Sequence, residues 1–240
     1  MCRNRTKGGS RVSQRIGEEE IYRVLKEAIF NAELSPGTQL VETSLAEAFG
    51  VSRTPIRAVL QRLKYESLIK LVPNRGAFVY CPSPDEAEQI FSLRTLLEGE
   101  AARLAAEHAT PQQLEEMETF LHQEREYYRQ KENHKALKAI ADFHLTLAEA
   151  SHNPFLISYL RQLISLSHII FTFYDTTDQG EPHSMDEHGA ILEAIKNRDG
   201  RLAAELASSH IHEIKGDVDF SKAVKHSLSI EQLVSRYVKR

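Results

Sequence analysis

From Pro84 to the C-terminus the apolar residues recur at helical spacing, and no stretch alternates as a half-buried strand would. Such a stretch can fold only by packing helix on helix. Its start signals are local. Ser83-Pro84 and Thr110-Pro111 each place a capping hydroxyl before a proline, which costs no hydrogen bond in the first turn. Helices are expected from 84 to about 107, 111 to about 131, 133–151, 154–174, 184–197 and 199–215, with a weaker one over 221–239. About 160 residues can bury a sizeable core, so residues 82–240 read as one antiparallel all-α bundle.

The first 81 residues follow another pattern. Residues 1–16 are basic and nearly free of apolar side chains, and read as a flexible arm. A helix is expected from Glu18 to Phe30, with Ile21, Val24, Leu25, Ala28 and Ile29 on one face. Ser35-Pro36-Gly37 then turns the chain. A short helix over about 44–49 ends at Gly50, and a second runs from Arg53 to about Glu66 behind Ser52 as N-cap. Two extended runs, Leu68–Val72 and Ala77–Tyr80, flank the turn signal Asn74-Arg75-Gly76. Residues 17–81 therefore read as a winged helix-turn-helix, and the fold class is mostly α. In that motif the N-terminus of the second helix meets base edges in the major groove. Here it offers Ser52, Arg53, Thr54 and Arg57, the two arginines one turn apart on one face. Arginine suits guanine O6 and N7, and hydroxyls suit phosphates. Arg75, beside Gly76 at the hairpin tip, is in reach of a minor groove or a phosphate.

Charge supports this division. Residues 1–80 hold 13 Lys+Arg against 8 Asp+Glu, whereas the whole chain carries a net charge of −4. A basic front on an acidic body suits a polyanion-binding module joined to a second domain. No apolar run approaches a membrane span of about 18 residues. The basic N-terminus lacks the apolar segment of a secretory signal. Two cysteines, Cys2 and Cys81, make no disulfide framework, so a reducing cytoplasm is the expected compartment.

All eleven histidines fall after residue 80. His144, His188 and His210 stand on three different expected helices. Helical histidines are commonly surface or core residues, so spacing alone makes no site. Imidazoles converging inside a bundle would suit Zn, Ni or Fe. Arg94 and Glu98 are one turn apart, which reads most simply as a surface ion pair. Asp142 lies about 200° around the helix from His144 and should point elsewhere. His212, two residues from His210, should also face away.

The segment LSPGTQLVETSLAEAFGVSRTPIRAVLQRLKYESLIKLVPNRGAFV resembles the DNA-binding domain of GntR-type transcription regulators over about residues 18–80. The resemblance implies operator contacts from Ser52, Arg53, Thr54 and Arg57, with Gly76 of the wing close to the DNA. Ala58 stands where that family often has Glu. Residues 84–215 resemble the FCD ligand-binding domain of the FadR-type subfamily. The matching pieces are Arg94 through Ala102, Phe143-His144 through Pro154, Glu187-His188 through Ile195, and His210. This implies a divalent metal, Zn or Ni, on His144, His188 and His210, and places Arg94 in the effector pocket, where a guanidinium can hold a carboxylate bidentately. Ile140 occupies the position, four residues before the first His, where the family often has a metal-binding Asp. His152 sits where Gly is common.

The resulting expectation is a cytoplasmic, homodimeric transcription regulator on a pseudo-palindromic double-stranded operator, with no membrane association. A repressor released by a small organic acid is the expected sign. Two other readings remain from sequence. The bundle could serve only for dimerisation, or it could be a metal-dependent enzyme. The latter lacks HExxH, a nucleophile motif and any carboxylate at readable spacing to the histidines.

Overall fold

The computed structural model describes residues 16–176, 184–216, 218–223 and 228–238. The expected arm lies outside them, apart from Ile16.

The N-terminal module comprises α1 (Glu18–Phe30), β1 (Gln39–Leu40), α2 (Glu42–Phe49), α3 (Arg53–Tyr65), β2 (Ile69–Val72) and β3 (Gly76–Val79). Helix α2 starts two residues before the expected start at about 44 and stops at Gly50, whose φ of 68° is the left-handed conformation glycine adopts without strain. Ser52 precedes α3 in extended geometry, but its hydroxyl makes no capping bond. The sheet order is β1-β3-β2, antiparallel throughout, with Val72 opposite Gly76 at the tip. Strand β1, too short to leave a pattern in sequence, pairs Gln39 with Phe78 and Leu40 with Ala77, closing the wing onto the body. Ile21, Leu25, Ile29, Leu45, Ile56, Val59 and Leu63 fill the core.

The second module is the expected bundle: α4 (Pro84–His108), α5 (Pro111–Arg129), α6 (Asn133–Ala150), α7 (Pro154–Phe173), α8 (Ser184–Lys196) and α9 (Gly200–Gly216). Reciprocal capping boxes start α4 (Ser83 with Glu86) and α5 (Thr110 with Gln113), and the Asn153 side chain caps α7. Helix α4 lies along α9, with Gly99 against Ser208 and the Ala204 carbonyl. Phe91, Met117, Phe143, Leu147, Leu160, Ile191 and Ile211 form the interior. His152 takes φ 53°, so the turn where glycine is common keeps its left-handed backbone despite the imidazole.

Four expectations need correction. Strands do occur after residue 80: β4 (Tyr174–Thr176) pairs with β5 (Val218–Ala223). Pairing partners some forty residues apart give no local alternation. The helix expected over 221–239 is only α10 (Ile230–Tyr237), started by Ser229 and Gln232. This helix belongs with the first module rather than with the bundle, because Leu233 and Val234 are buried in the core around α1 and α2. Finally, α7 is long and apolar enough to span a membrane, although half of its most apolar stretch is buried in the protein. Ile169 and Phe173 reach the first module's core, while Leu160 and Ile170 lie in the bundle's core. A helix buried between two cores is apolar on most of its circumference.

The modules are thus fastened along α7 and α10. Gln162 donates to Ser67 (2.6 Å), and the Thr172 hydroxyl to the Phe30 carbonyl (3.3 Å). Arg236 pairs with Glu33 (2.6 Å), and Asn31 donates to the Tyr237 hydroxyl (3.0 Å).

Candidate nucleic-acid interface and metal centre

Ser52, Arg53, Thr54 and Arg57 are all exposed around the N-terminus of α3, as the helical spacing requires. Ile56, Val59, Leu60 and Leu63 anchor the opposite face. Arg75 and Gly76 are exposed at the wing tip, where Asn74 (φ 60°) and Gly76 (φ 96°) both take left-handed backbone. Gln39 donates to the Arg75 carbonyl (2.7 Å), so β1 braces the wing. A groove of about 630 Å³ runs between α3 and the wing, with Arg53, Arg57 and Gly76 among its walls. Sequence reading missed Glu42, whose carboxylate faces both arginines.

The three histidines converge. Their Nε2 atoms form a triangle with sides of 3.2 Å (His188–His144), 3.1 Å (His188–His210) and 3.3 Å (His210–His144). All three residues are at most 2% exposed. Each Nδ1 faces a different carboxylate. His188 Nδ1 lies 3.0 Å from Glu124 Oε2, His210 Nδ1 lies 2.7 Å from Glu187 Oε2, and His144 Nδ1 lies 2.8 Å from Glu98 Oε1. A carboxylate at Nδ1 fixes the proton there and leaves the Nε2 lone pair for other use. The three Nε2 atoms therefore face one another inside the protein. Burial foremost keeps His144 neutral, with its pKa lowered to about 4, and pushes that of His210 well below the usual value.

Arg94 is not at the surface. It is 3% exposed, its Nη2 donates to Glu98 Oε1 (3.3 Å), and its Nε lies 3.1 Å from Glu98 Oε2. The simple surface pair is therefore a buried Arg94–Glu98–His144 chain. Burial alone would raise the Glu98 carboxyl, but Arg94 and His144 outweigh it and hold the pKa at about 2. Asp142 bonds Lys138 and His212 is exposed, as the helical angles predict. The orienting carboxylates Glu98, Glu124 and Glu187 escaped sequence reading, since none stands at a ligand-like spacing from the histidine it serves.

Comparison with known proteins decides the family. Residues 18–79 match the family described as bacterial regulatory proteins, gntR family, and residues 89–213 match the FCD domain. The chain belongs to the GntR family and carries an FCD domain. It is 32% identical over 176 residues to the Nta operon transcriptional regulator of Aminobacter aminovorans, covering 73% of this chain and 82% of that one. It is 27% identical over 201 residues to the HTH-type transcriptional repressor RspR of Escherichia coli, covering 83% and 88% respectively. A putative GntR regulator from Rhodococcus sp. RHA1 shares the fold, with a TM-score of 0.71 at 20% identity over 83% of this chain and 95% of that one. This GntR-family protein is a DNA-binding transcription regulator and not an enzyme. Segment 218–238, with β5 and α10, lies beyond both matched regions.

Proposed function

We propose that this regulator holds a divalent metal, Zn or Ni, on His144, His188 and His210, and that a small organic acid bound there controls its grip on DNA. The carrying observation is the set of three carboxylate-oriented imidazoles with their Nε2 atoms 3.1–3.3 Å apart. A metal about 2.0–2.1 Å from each nitrogen needs separations of about 3.3 Å at tetrahedral and about 2.9 Å at octahedral angles. The donor set agrees as well: Glu98, Glu124 and Glu187 each stand at one Nδ1, so each ring has a carboxylate behind the nitrogen that would meet the metal. When bound, the metal supplies a Lewis-acid anchor for a carboxylate.

Among the described residues no carboxylate joins the three imidazoles as a fourth ligand. Ile140, one turn before His144, adds none. The remaining coordination thus falls to solvent or effector. Arg94 contributes a buried positive charge beside the centre, which favours an anionic effector. On the DNA side, Ser52, Arg53, Thr54, Arg57, Arg75 and Gly76 form the reading face. A homodimer would present two such faces to a pseudo-palindromic operator. Repression released by the acid is the expected sign, and a DNA target places the protein in the cytoplasm. The acid shifts the equilibrium only by its differential affinity for the two states.

The test combines elemental analysis with thermal shifts. One metal per chain, lost in His188→Ala, and carboxylates whose stabilisation vanishes on chelation are expected. Carboxylate stabilisation that survives chelation would move the anchor to Arg94, and no response would leave the bundle a dimerisation device. On DNA, Arg57→Ala should cost about 1–3 kcal/mol and relax preference at one base pair. Unchanged selection from a randomised duplex library would refute that assignment.

A further inference from the structure

Two of the reading arginines share one acceptor. Glu42 Oε2 takes hydrogen bonds from Arg53 Nε (3.2 Å) and Nη2 (2.7 Å), and from Arg57 Nε (2.8 Å). Glu42 is the first residue of α2, on the side of the groove that faces α3. The positive end of the helix macrodipole favours its negative charge there. The two arginines are 52% and 59% exposed and the glutamate 31%, so these pairs add little to stability. They do fix direction. Arg53 is held side-on, through Nε and Nη2. Arg57 is held by Nε alone, which leaves its two terminal amino groups as an end-on fork. That fork is the shape that reads guanine O6 and N7.

We infer that Glu42 is a positioning residue for base selection: its carboxylate holds Arg57 end-on to a guanine and keeps Arg53 and Arg57 from settling on phosphates. This rests on the proposed reading role of Arg57. A carboxylate facing DNA also repels the backbone, which lowers affinity for every sequence alike. Position and repulsion can be separated. Glu42→Gln keeps the reach and loses the charge. Glu42→Asp keeps the charge and shortens the reach by one methylene.

The experiment selects full-length wild type, E42Q, E42D and R57A against a randomised duplex library, then measures binding to the selected site and to scrambled duplex over a salt series. Wild type should select a guanine that R57A no longer selects. Both Glu42 variants should lose preference at that same base pair, with the ratio of specific to non-specific affinity falling about tenfold. Arginines released to phosphates should steepen the E42Q dependence of log K on log salt by about one. If E42D behaves as wild type while E42Q binds both duplexes more tightly by one factor, Glu42 acts by repulsion only and the inference fails. If E42Q and E42D both retain the preference that R57A loses, positioning is refuted while the reading role of Arg57 stands. If R57A itself keeps the preference, that reading role fails and takes the inference with it. The selected base profile of each variant is the deciding readout, because loss of fold removes binding without moving a preference from one base pair.

Discussion

His168 lies on α7 where the bundle meets the reading module, and it should make the fold sensitive to acid. Its ring packs at a tilt against that of Phe30, the last residue of α1, with centroids 4.3 Å apart. It is 5% exposed, and neither ring nitrogen completes a hydrogen bond. The Phe30 and Leu137 carbonyls lie beside it, and Lys138 and His134 of α6 are the charged and titratable groups that face it. Burial, aided by Lys138 and His134, lowers its pKa to about 4 from an ordinary 6.5. Between those values the unfolded chain binds a proton that the folded chain does not, so stability falls as pH falls. Linkage with those two constants gives a loss of about 2 kcal/mol from pH 7 to pH 5, and about 3 kcal/mol in full below pH 4. Carboxylates and the other histidines titrate too, so the informative quantity is a difference between two proteins. His168→Leu removes an unpaired buried polar group for an apolar one of similar size, and at pH 7 should change stability by less than about 1 kcal/mol. At pH 5 the variant should be the more stable by about 2 kcal/mol. Urea unfolding followed by far-UV circular dichroism, in chelator so that metal contributes nothing, reads both values. Parallel stability curves for the two proteins between pH 7 and pH 5 would refute the argument.

Other perturbations test the packing and the centre. A Cβ on Gly99 would lie 2.3 Å from Ser208 Oγ, so Gly99→Ala should cost about 1–3 kcal/mol in thermal or urea unfolding, and Ser208→Ala in the same chain should restore most of it. No recovery would mean that the Ala204 carbonyl, 3.3 Å away, is the real obstacle. Glu124→Gln should weaken metal binding about 10–100-fold in competition with a chelator, because the His188 imidazole loses the anion that fixes its tautomer. Unchanged affinity would show that the bundle alone orients that ring. Leu233 is fully buried, so Leu233→Ala should destabilise the protein by about 2–5 kcal/mol and expose the α10 segment to protease. An unaffected protein would mean that α10 adds nothing to the first module's core.

The relation between the modules gives these tests a common setting. Helix α9 carries His210 and leads through β5 to α10, which sits on α1 and α2. Helix α7 lies in both cores. The reading module is therefore held by the same helical framework that carries the three histidines.

What the sequence by itself determined was whatever a few neighbouring residues decide. Ser83 with Glu86 and Thr110 with Gln113 start helices through bonds made within one turn, so the starts of α4 and α5 were legible. The stripe Ile21-Val24-Leu25-Ala28-Ile29 set the buried face of α1. The spacing of Arg53 and Arg57 put them on one face, and the angle at Asp142 turned it away from His144. Three histidines on three helices were visible as well, but spacing did not show their meeting, which only the family resemblance implied. Whether three Nε2 atoms meet depends on how α6, α8 and α9 cross, and crossing is set by side chains interlocking between helices distant in sequence. For the same reason the carboxylates came only with the fold: Glu124 serves a histidine 64 positions away, and Glu187 serves His210 although it adjoins His188. Strands β4 and β5, the place of α10 and the hold of Glu42 on two arginines are likewise non-local, and only tertiary packing brings such partners together.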